Sequence, residues 1–306
     1  MSKKYISRKE FFTKTLTALA GVSLVSNNMN RLLVPGPELK AVGKTGILVS
    51  PICFGAPRTN DESLIKYALS KGINFIDTGR AYANGNNEKL VGKAIAGMRT
   101  SVVIQSKIRL EENELPSKGK GRKGSVEIRD ALSKKLEASL KALNTEYIDI
   151  LLYHEAIDEK LLFHSETMKF FSDMKNGRII KAHGFSTHND FMNLPERNNS
   201  EGFYNVVMVP FNHKGSFVHS LTGSFSGWDQ SRLISILTAA WEKGIGVIAM
   251  KTCSGGKYAP STTVEPSYKE AVLWVLQHKF ISSASIAMSN FDQVDEHADW
   301  LRDWKF

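Results

Sequence analysis

Cysteine is nearly absent: Cys53 and Cys253 are the only two in 306 residues. That excludes a disulfide framework and a four-cysteine zinc site, and favours two buried free thiols over a bridge. His183, His188 and His213 with Asp190 lack the tight paired spacing of metal ligands, so no metal site is expected. Long apolar runs are missing too. Residues 16–25 form an uncharged apolar stretch, well short of the ~20 residues that a spanning helix needs, and no other segment approaches that length. Acidic residues are in short supply, 31 against 40 lysines and arginines, for a net charge of +9.

The position of that excess decides what it means. Residues 1–31 hold Lys3, Lys4, Arg8, Lys9, Lys14 and Arg31 against the single acid Glu10. Lys118, Lys120, Arg122 and Lys123 form a second cluster in a Gly/Ser-rich stretch, and the rest of the chain balances. No aromatic side chain interleaves the second cluster for base stacking, so nucleic acid is not an expected partner. The first cluster precedes the apolar stretch, as in a secretory leader. Ser7-Arg8-Lys9-Glu10-Phe11-Phe12 resembles a twin-arginine export signal, with Lys9 where the second arginine is expected. Residues 1–34 are therefore expected to be a signal-like leader. The mature protein would be exported or periplasmic, without an integral membrane segment. The alternative is a cytoplasmic chain whose amino-terminal helix packs on the domain.

With 42% hydrophobic and 23% charged residues, the remainder is globular. Short apolar runs at residues 52–55, 73–76, 101–106, 147–153, 180–185, 205–209, 247–250 and 283–287 alternate with helical patterns. The latter lie at 61–71, 87–98, 125–143, 166–176, 230–243, 267–278 and 291–300. Continuous apolar strands alternating with helices are parallel β/α units. Eight over roughly 250 residues predict an α/β protein with the (β/α)8 TIM barrel fold. An open doubly wound sheet would want a G-x-G-x-x-G turn after its first strand, and Gly55-Ala56-Pro57-Arg58 stands there instead. Residues 38–49, centred on Gly43-Lys44-Thr45-Gly46, read as a β-hairpin plugging the bottom of the barrel. One barrel over residues 35–306 is expected.

In such barrels the chemistry sits at the carboxyl ends of the strands. Three consecutive strands end in Asp77, Lys107 and His154, and Tyr82 follows Asp77 in a Gly/Asn-rich loop. Any one charge at a strand end marks only where solvent begins; three in a row ask for a site. A tyrosine, ordinarily near pKa ~10, is a poor acid at neutral pH, and an adjacent ammonium would ease release of its proton. A buried lysine needs a carboxylate, and Asp77 fits. A histidine can orient a carbonyl oxygen by hydrogen bonding. The set describes proton donation to a carbonyl as charge develops on oxygen.

These segments resemble the aldo-keto reductase family across almost all of residues 39–300. The resemblance lies in Ile76-Asp77-Thr78-Gly79-Arg80-Ala81-Tyr82 with Asn87-Glu88-Lys89-Leu90-Val91-Gly92, in Val103-Ile104-Gln105-Ser106-Lys107, and in Tyr147-Ile148-Asp149-Ile150-Leu151-Leu152-Tyr153-His154. It implies Tyr82 as general acid, Asp77 and Lys107 as its tuning pair, and His154 as the substrate-orienting group. The reaction implied is hydride transfer between a nicotinamide and a small-molecule carbonyl or sugar-like substrate. The resemblance also implies cofactor contacts at Ser186, at Thr187 and Met208 (where the family has Asn and Gln), and at Met250, Lys251 and Gly255. At the adenosine end it implies Ser289, Gln293, Glu296 and His297. NADP is the family's commoner cofactor and NAD an alternative, since no Arg or Lys lies within residues 287–293. A non-catalytic cofactor-binding sensor or interaction protein on the same barrel is the alternative function.

Overall fold

The computed structural model describes residues 37–111, 114, 121–156, 159–219, 222–253 and 267–302. The expected leader, Gly255 and the tail from residue 303 lie outside the described residues. So do Lys118 and Lys120.

Twelve strands are described: β1 (Lys40–Ala41), β2 (Leu48–Val49), β3 (Ile52–Gly55), β4 (Phe75–Asp77), β5 (Val103–Ile108), β6 (Ile148–Tyr153), β7 (Ile180–Ser186), β8 (Val206–Pro210), β9 (Ser216–Val218), β10 (Phe225–Gly227), β11 (Gly246–Met250) and β12 (Ile281–Ala287). The helices are α1 (Glu62–Ser70), α2 (Asn86–Ala94), α3 (Gly121–Leu143), α4 (Glu159–Leu162), α5 (Ser165–Asn176), α6 (Asn193–Glu201), α7 (Gln230–Glu242), α8 (Tyr268–Leu276) and α9 (Phe291–Arg302). Strands β3 to β8, β11 and β12 pair in parallel and close into a barrel, with β11 between β8 and β12 and with β12 against β3. This is the expected (β/α)8 fold.

The strands are apolar on both faces because each face meets a different core. Along β6, Leu151 and Tyr153 pack outward against helices, whereas Ile150 and Leu152 point into the barrel. Inside, Phe75, Val103, Ile150 and Ile248 fill the lower layers. The same alternation carries Val103, Gln105 and Lys107 up the inner face of β5, since successive residues face opposite sides. Helices seal the outer face through stripes such as Ile128, Leu132 and Leu136 of α3, each fully buried and stabilising by ~1.5–3 kcal/mol. Their starts carry the expected caps. Asp61 accepts from Ser63 N at 2.8 Å, and Ser267 forms a capping box with Glu270 ahead of α8.

The β1–β2 hairpin lies at the amino end of the barrel. Val42 and Val49 are fully buried in the inner core, and Lys44 N donates to Gly244 O at 2.8 Å. Gly43, at φ +53°, sits so close that a Cβ there would fall 2.3 Å from Gly244 O.

Three departures from expectation are informative. Helix α3 begins at Gly121, ahead of the expected residue 125, so the backbone of Arg122 and Lys123 is helical; both are good helix formers, and Gly124 is tolerated. Helix α6 was not expected, because Asn193, Asn198 and Asn199 are weak helix formers. Tertiary bonds hold it: Asn198 accepts from Tyr204 N at 2.9 Å and donates to Tyr204 O at 3.0 Å. The segment between β8 and α7 folds into the antiparallel β9–β10 hairpin, with Phe217 buried and Phe225 72% exposed.

Candidate active site

The alternation that fills the lower barrel with apolar groups brings polar ones to its mouth. On adjacent strands, Asp77 pairs in register with Gln105, and Lys107 with Leu152. Asp77 and Lys107 are 3% and 1% exposed, so neither charge survives there without a partner. Lys107 Nζ donates to Asp77 Oδ1, and to Thr78 O at 2.8 Å. Two further groups hold the carboxylate: Gln105 Nε2 donates to Oδ1 at 2.7 Å, and Ser285 Oγ on β12 donates to Oδ2 at 3.2 Å. Neither was singled out from the sequence. The inward register of Gln105, two residues before Lys107, was the signal available for it.

Tyr82 reaches the lysine by a built turn. After Asp77, Arg80 N donates to Lys107 O at 2.9 Å and Tyr82 N to Gly79 O at 3.0 Å. A Cβ on Gly79 would press on the Tyr82 ring at 3.2 Å, so glycine lets the ring lie across the backbone. Ala83, Asn84 and Gly85 then run successively through positive φ, at +47°, +52° and +81°, a conformation that is costly for non-glycine residues. Arg80 reaches back over Gly85, where a Cβ would fall 0.9 Å from Nη2. There its Nη1 meets fully buried Glu88 at 2.8 Å and Ala138 O at 3.0 Å. Ser106 Oγ supports Glu88 at 2.6 Å.

The result places the Lys107 ammonium 4.9 Å from the Tyr82 ring centroid, and the His154 ring edge-on to Tyr82 at 5.4 Å. All four predicted residues therefore meet at the ends of β4, β5 and β6. Burial pushes the Tyr82 phenol up, Lys107 pulls it down and Asp77 pushes it up again, so the net shift is upward. Lys107 acts in the expected direction, easing proton release, but desolvation is the larger effect and the phenol stays protonated. Burial lowers the Lys107 pKa, but Asp77 and Tyr82 overcome it, and the lysine is held charged. Burial, with the nearby cations Lys107 and Arg109, holds His154 well below the ordinary histidine range, so its imidazole is neutral. Its Nδ1 is buried without a hydrogen-bond partner.

The expected cofactor positions distribute unevenly. Ser186 Oγ accepts from Glu155 N at 3.2 Å, which leaves the hydroxyl hydrogen free to donate. Thr187 is buried and caps its own turn, accepting from Asp190 N at 3.2 Å. Met208 and Met250 belong to the inner apolar core, and Met208 Sδ lies 3.4 Å from Gln105 Nε2. Lys251 adopts φ +57°, with its ammonium 5.6 Å from the Phe217 ring. His188 lies close enough to Lys251 and Lys107 to feel both, and burial with these charges holds it at about 3. Ser289 N and Oγ both bond Gln293 Oε1, at 2.8 and 3.2 Å, at the start of α9. Glu296 is exposed, whereas His297 is buried, bonding Gln293 O and packing on Trp300 at 4.5 Å.

A model of the aldo/keto reductase family matches residues 54–271. L-Galactose dehydrogenase of Arabidopsis thaliana is 25% identical over 304 residues, covering 85% of this chain and 86% of that protein. The aldo-keto reductase YhdN of Bacillus subtilis is 32% identical over 164 residues, 49% of this chain and 46% of that one. Among solved structures, a holo aldo-keto reductase of Bacillus halodurans superposes with a TM-score of 0.68 at 20% identity, covering 88% and 92% of the two chains. A Klebsiella pneumoniae aldo-keto reductase in complex with NADPH superposes with a TM-score of 0.65 at 19% identity, covering 88% and 91%.

Proposed function

The chain belongs to the aldo/keto reductase family and is an oxidoreductase, and on that premise we propose that it interconverts a small carbonyl compound and its alcohol, with Tyr82 as general acid. The observation that carries this reading is the buried Asp77–Lys107 pair beneath the Tyr82 ring, with neutral His154 beside it. NADP is the proposed cofactor, in keeping with its presence in the Klebsiella pneumoniae structure. The donor set fits such a group. Ser186 has a hydroxyl hydrogen to give, Lys251 is a half-buried cation, and Ser289 with Gln293 opens helix α9. These four residues would hold the cofactor, which supplies the hydride to the carbonyl carbon.

The protein's own groups handle the oxygen. The His154 imidazole orients the carbonyl, and the Tyr82 hydroxyl delivers its proton as negative charge develops there. The hydride and the proton together convert C=O to CH–OH. The phenolate left on Tyr82 faces the Lys107 ammonium, which Asp77, itself held by Gln105 and Ser285, keeps in place and charged. In the oxidative direction the same phenolate takes the proton back.

Replacing Tyr82 by Phe tests the reading. Carbonyl reduction should fall by at least ~10²–10⁴-fold, the usual worth of a positioned acid, while NADPH binding measured by fluorescence persists. Full activity in the variant refutes it. From sequence alone we further propose that residues 1–34 form an export leader, on the strength of their basic start and short apolar stretch. Sequencing the mature amino terminus tests this, and an uncleaved cytoplasmic chain refutes it.

A further inference from the structure

One cavity of about 360 Å³ opens at Lys107 and His154. Lys107, His154, Arg80, Arg109, Lys134 and Lys135 line it, with Glu111 as the acid among the described lining residues. The carboxylates that offset these cations sit mostly behind them. Asp77 and Glu88, partners of Lys107 and Arg80, are 3% and 0% exposed and do not line the cavity. Glu155 and Glu111 pair with Arg109, and Glu114 pairs with Lys135 at 3.0 Å. These pairs are partly solvated and worth little, so an anion entering the cavity can compete for the cations.

Two groups retain capacity. A guanidinium carries five N–H donors; Arg80 donates to Ala138 O and Asn84 O and ion-pairs with Glu88, leaving other donors free. Glu88 and the Gly85 turn hold it rigidly. Lys134, on the exposed face of α3, has neither a hydrogen bond nor an ion pair among the described residues, although the Glu114 carboxylate is near enough to feel it.

The geometry points to an anion-recognition subsite formed by Arg80 and Lys134, and hence to a substrate that carries a carboxylate or phosphate group besides its carbonyl. This rests on the proposed carbonyl reduction for its place in turnover, but the subsite binds anions whether or not that reaction occurs. Arg80 supplies fixed donors to a planar or tetrahedral oxyanion, and Lys134 adds a mobile point charge. The carbonyl enters the same cavity, at His154 and Lys107.

Two measurements test it. In the first, kcat/KM with NADPH is compared within two pairs that differ by one charged group: succinic semialdehyde against butanal for the carboxylate, and glyceraldehyde 3-phosphate against glyceraldehyde for the phosphate. The charged member of at least one pair should be favoured tenfold or more. That ratio should fall towards one in Lys134→Met, and at about 0.5 M KCl, where exposed charges are screened. Using a ratio removes any general loss of activity in the variant. Equal ratios in both pairs, or a preference indifferent to Lys134→Met and to salt, overturn the subsite while leaving carbonyl reduction standing.

The second measurement needs no turnover. With NADP saturating, phosphate and acetate are titrated against thermal unfolding at constant ionic strength. At least one should raise the midpoint in the wild type and not in Lys134→Met. Should no aldehyde be reduced at all, the proposed reaction falls, and this titration alone decides: a shift abolished by Lys134→Met sustains the subsite, and no shift overturns it.

Discussion

Lowering the pH should expose one buried histidine as an acid-labile point of the barrel. His183, on β7, is 4% exposed. It stacks on Phe203 at 4.7 Å and packs against Phe171 and Tyr204. Its Nδ1 has no hydrogen-bond partner. Burial, reinforced by Lys175, lowers its pKa from 6.5 to about 3. The folded protein therefore keeps this imidazole neutral where the unfolded chain would protonate it. With more protons bound to the unfolded state, stability is complete above about pH 6.5 and declines as the pH falls towards 3. At ~1.36 kcal/mol per pH unit, the loss from this residue between pH 7 and pH 5 is about 2 kcal/mol. Replacement by Phe keeps a ring in the stack and removes the titration. Urea unfolding of both proteins at the two pH values isolates the effect, because contributions from other groups cancel in the difference. Wild type should lose about 2 kcal/mol more than the variant. Equal losses would show that the unfolded chain, or water reaching Nδ1, already shields this histidine, and the desolvation argument would fail.

Asp77→Asn leaves the Lys107 ammonium without its counter-charge; the lysine should lose its proton more readily, and reductive kcat should fall by at least ~10²-fold with cofactor affinity nearly unchanged. Gly85→Ala drives a methyl into Arg80 at a φ of +81°; a loss of ~1–3 kcal/mol in thermal or urea unfolding, with a fall in kcat, is expected, and wild-type behaviour would show that the turn is not constrained. The pH profile of reductive kcat/KM should be flat from pH 6 to 9, because His154 is already neutral and the Tyr82 pKa is raised; a limb near 6.5 would contradict the burial of His154. Asn198→Ala removes both bonds to the Tyr204 backbone and should cost ~2–3 kcal/mol of unfolding free energy.

Much of this was legible in the sequence because the same residues report fold and chemistry. Apolar runs ending in Asp77, Lys107 and His154 mark both the strands and the barrel mouth. What escaped notice depends on register between distant segments. Ser285 bonds Asp77 across 208 residues, and no local pattern marks it. Helix α6 is poor in helix formers and is held by Tyr204, outside the helix itself. The net shift of Tyr82 was not legible for a related reason, although the direction of the Lys107 effect was. Sequence shows which charges neighbour a group, but not how much water they displace, and here desolvation wins.

The bond from Ser285 to Asp77 also has a consequence for the order of events at the ribosome. The proton-handling residues all emerge by residue 154, yet the carboxylate beneath them receives one of its donors from the last strand, which also closes the ring against β3. A nascent chain that has not yet released β12 holds Asp77, Lys107, Tyr82 and His154 without the seam that braces them. Activity should therefore appear only once β12 has left the ribosome and closed the ring, after the rest of the barrel has emerged.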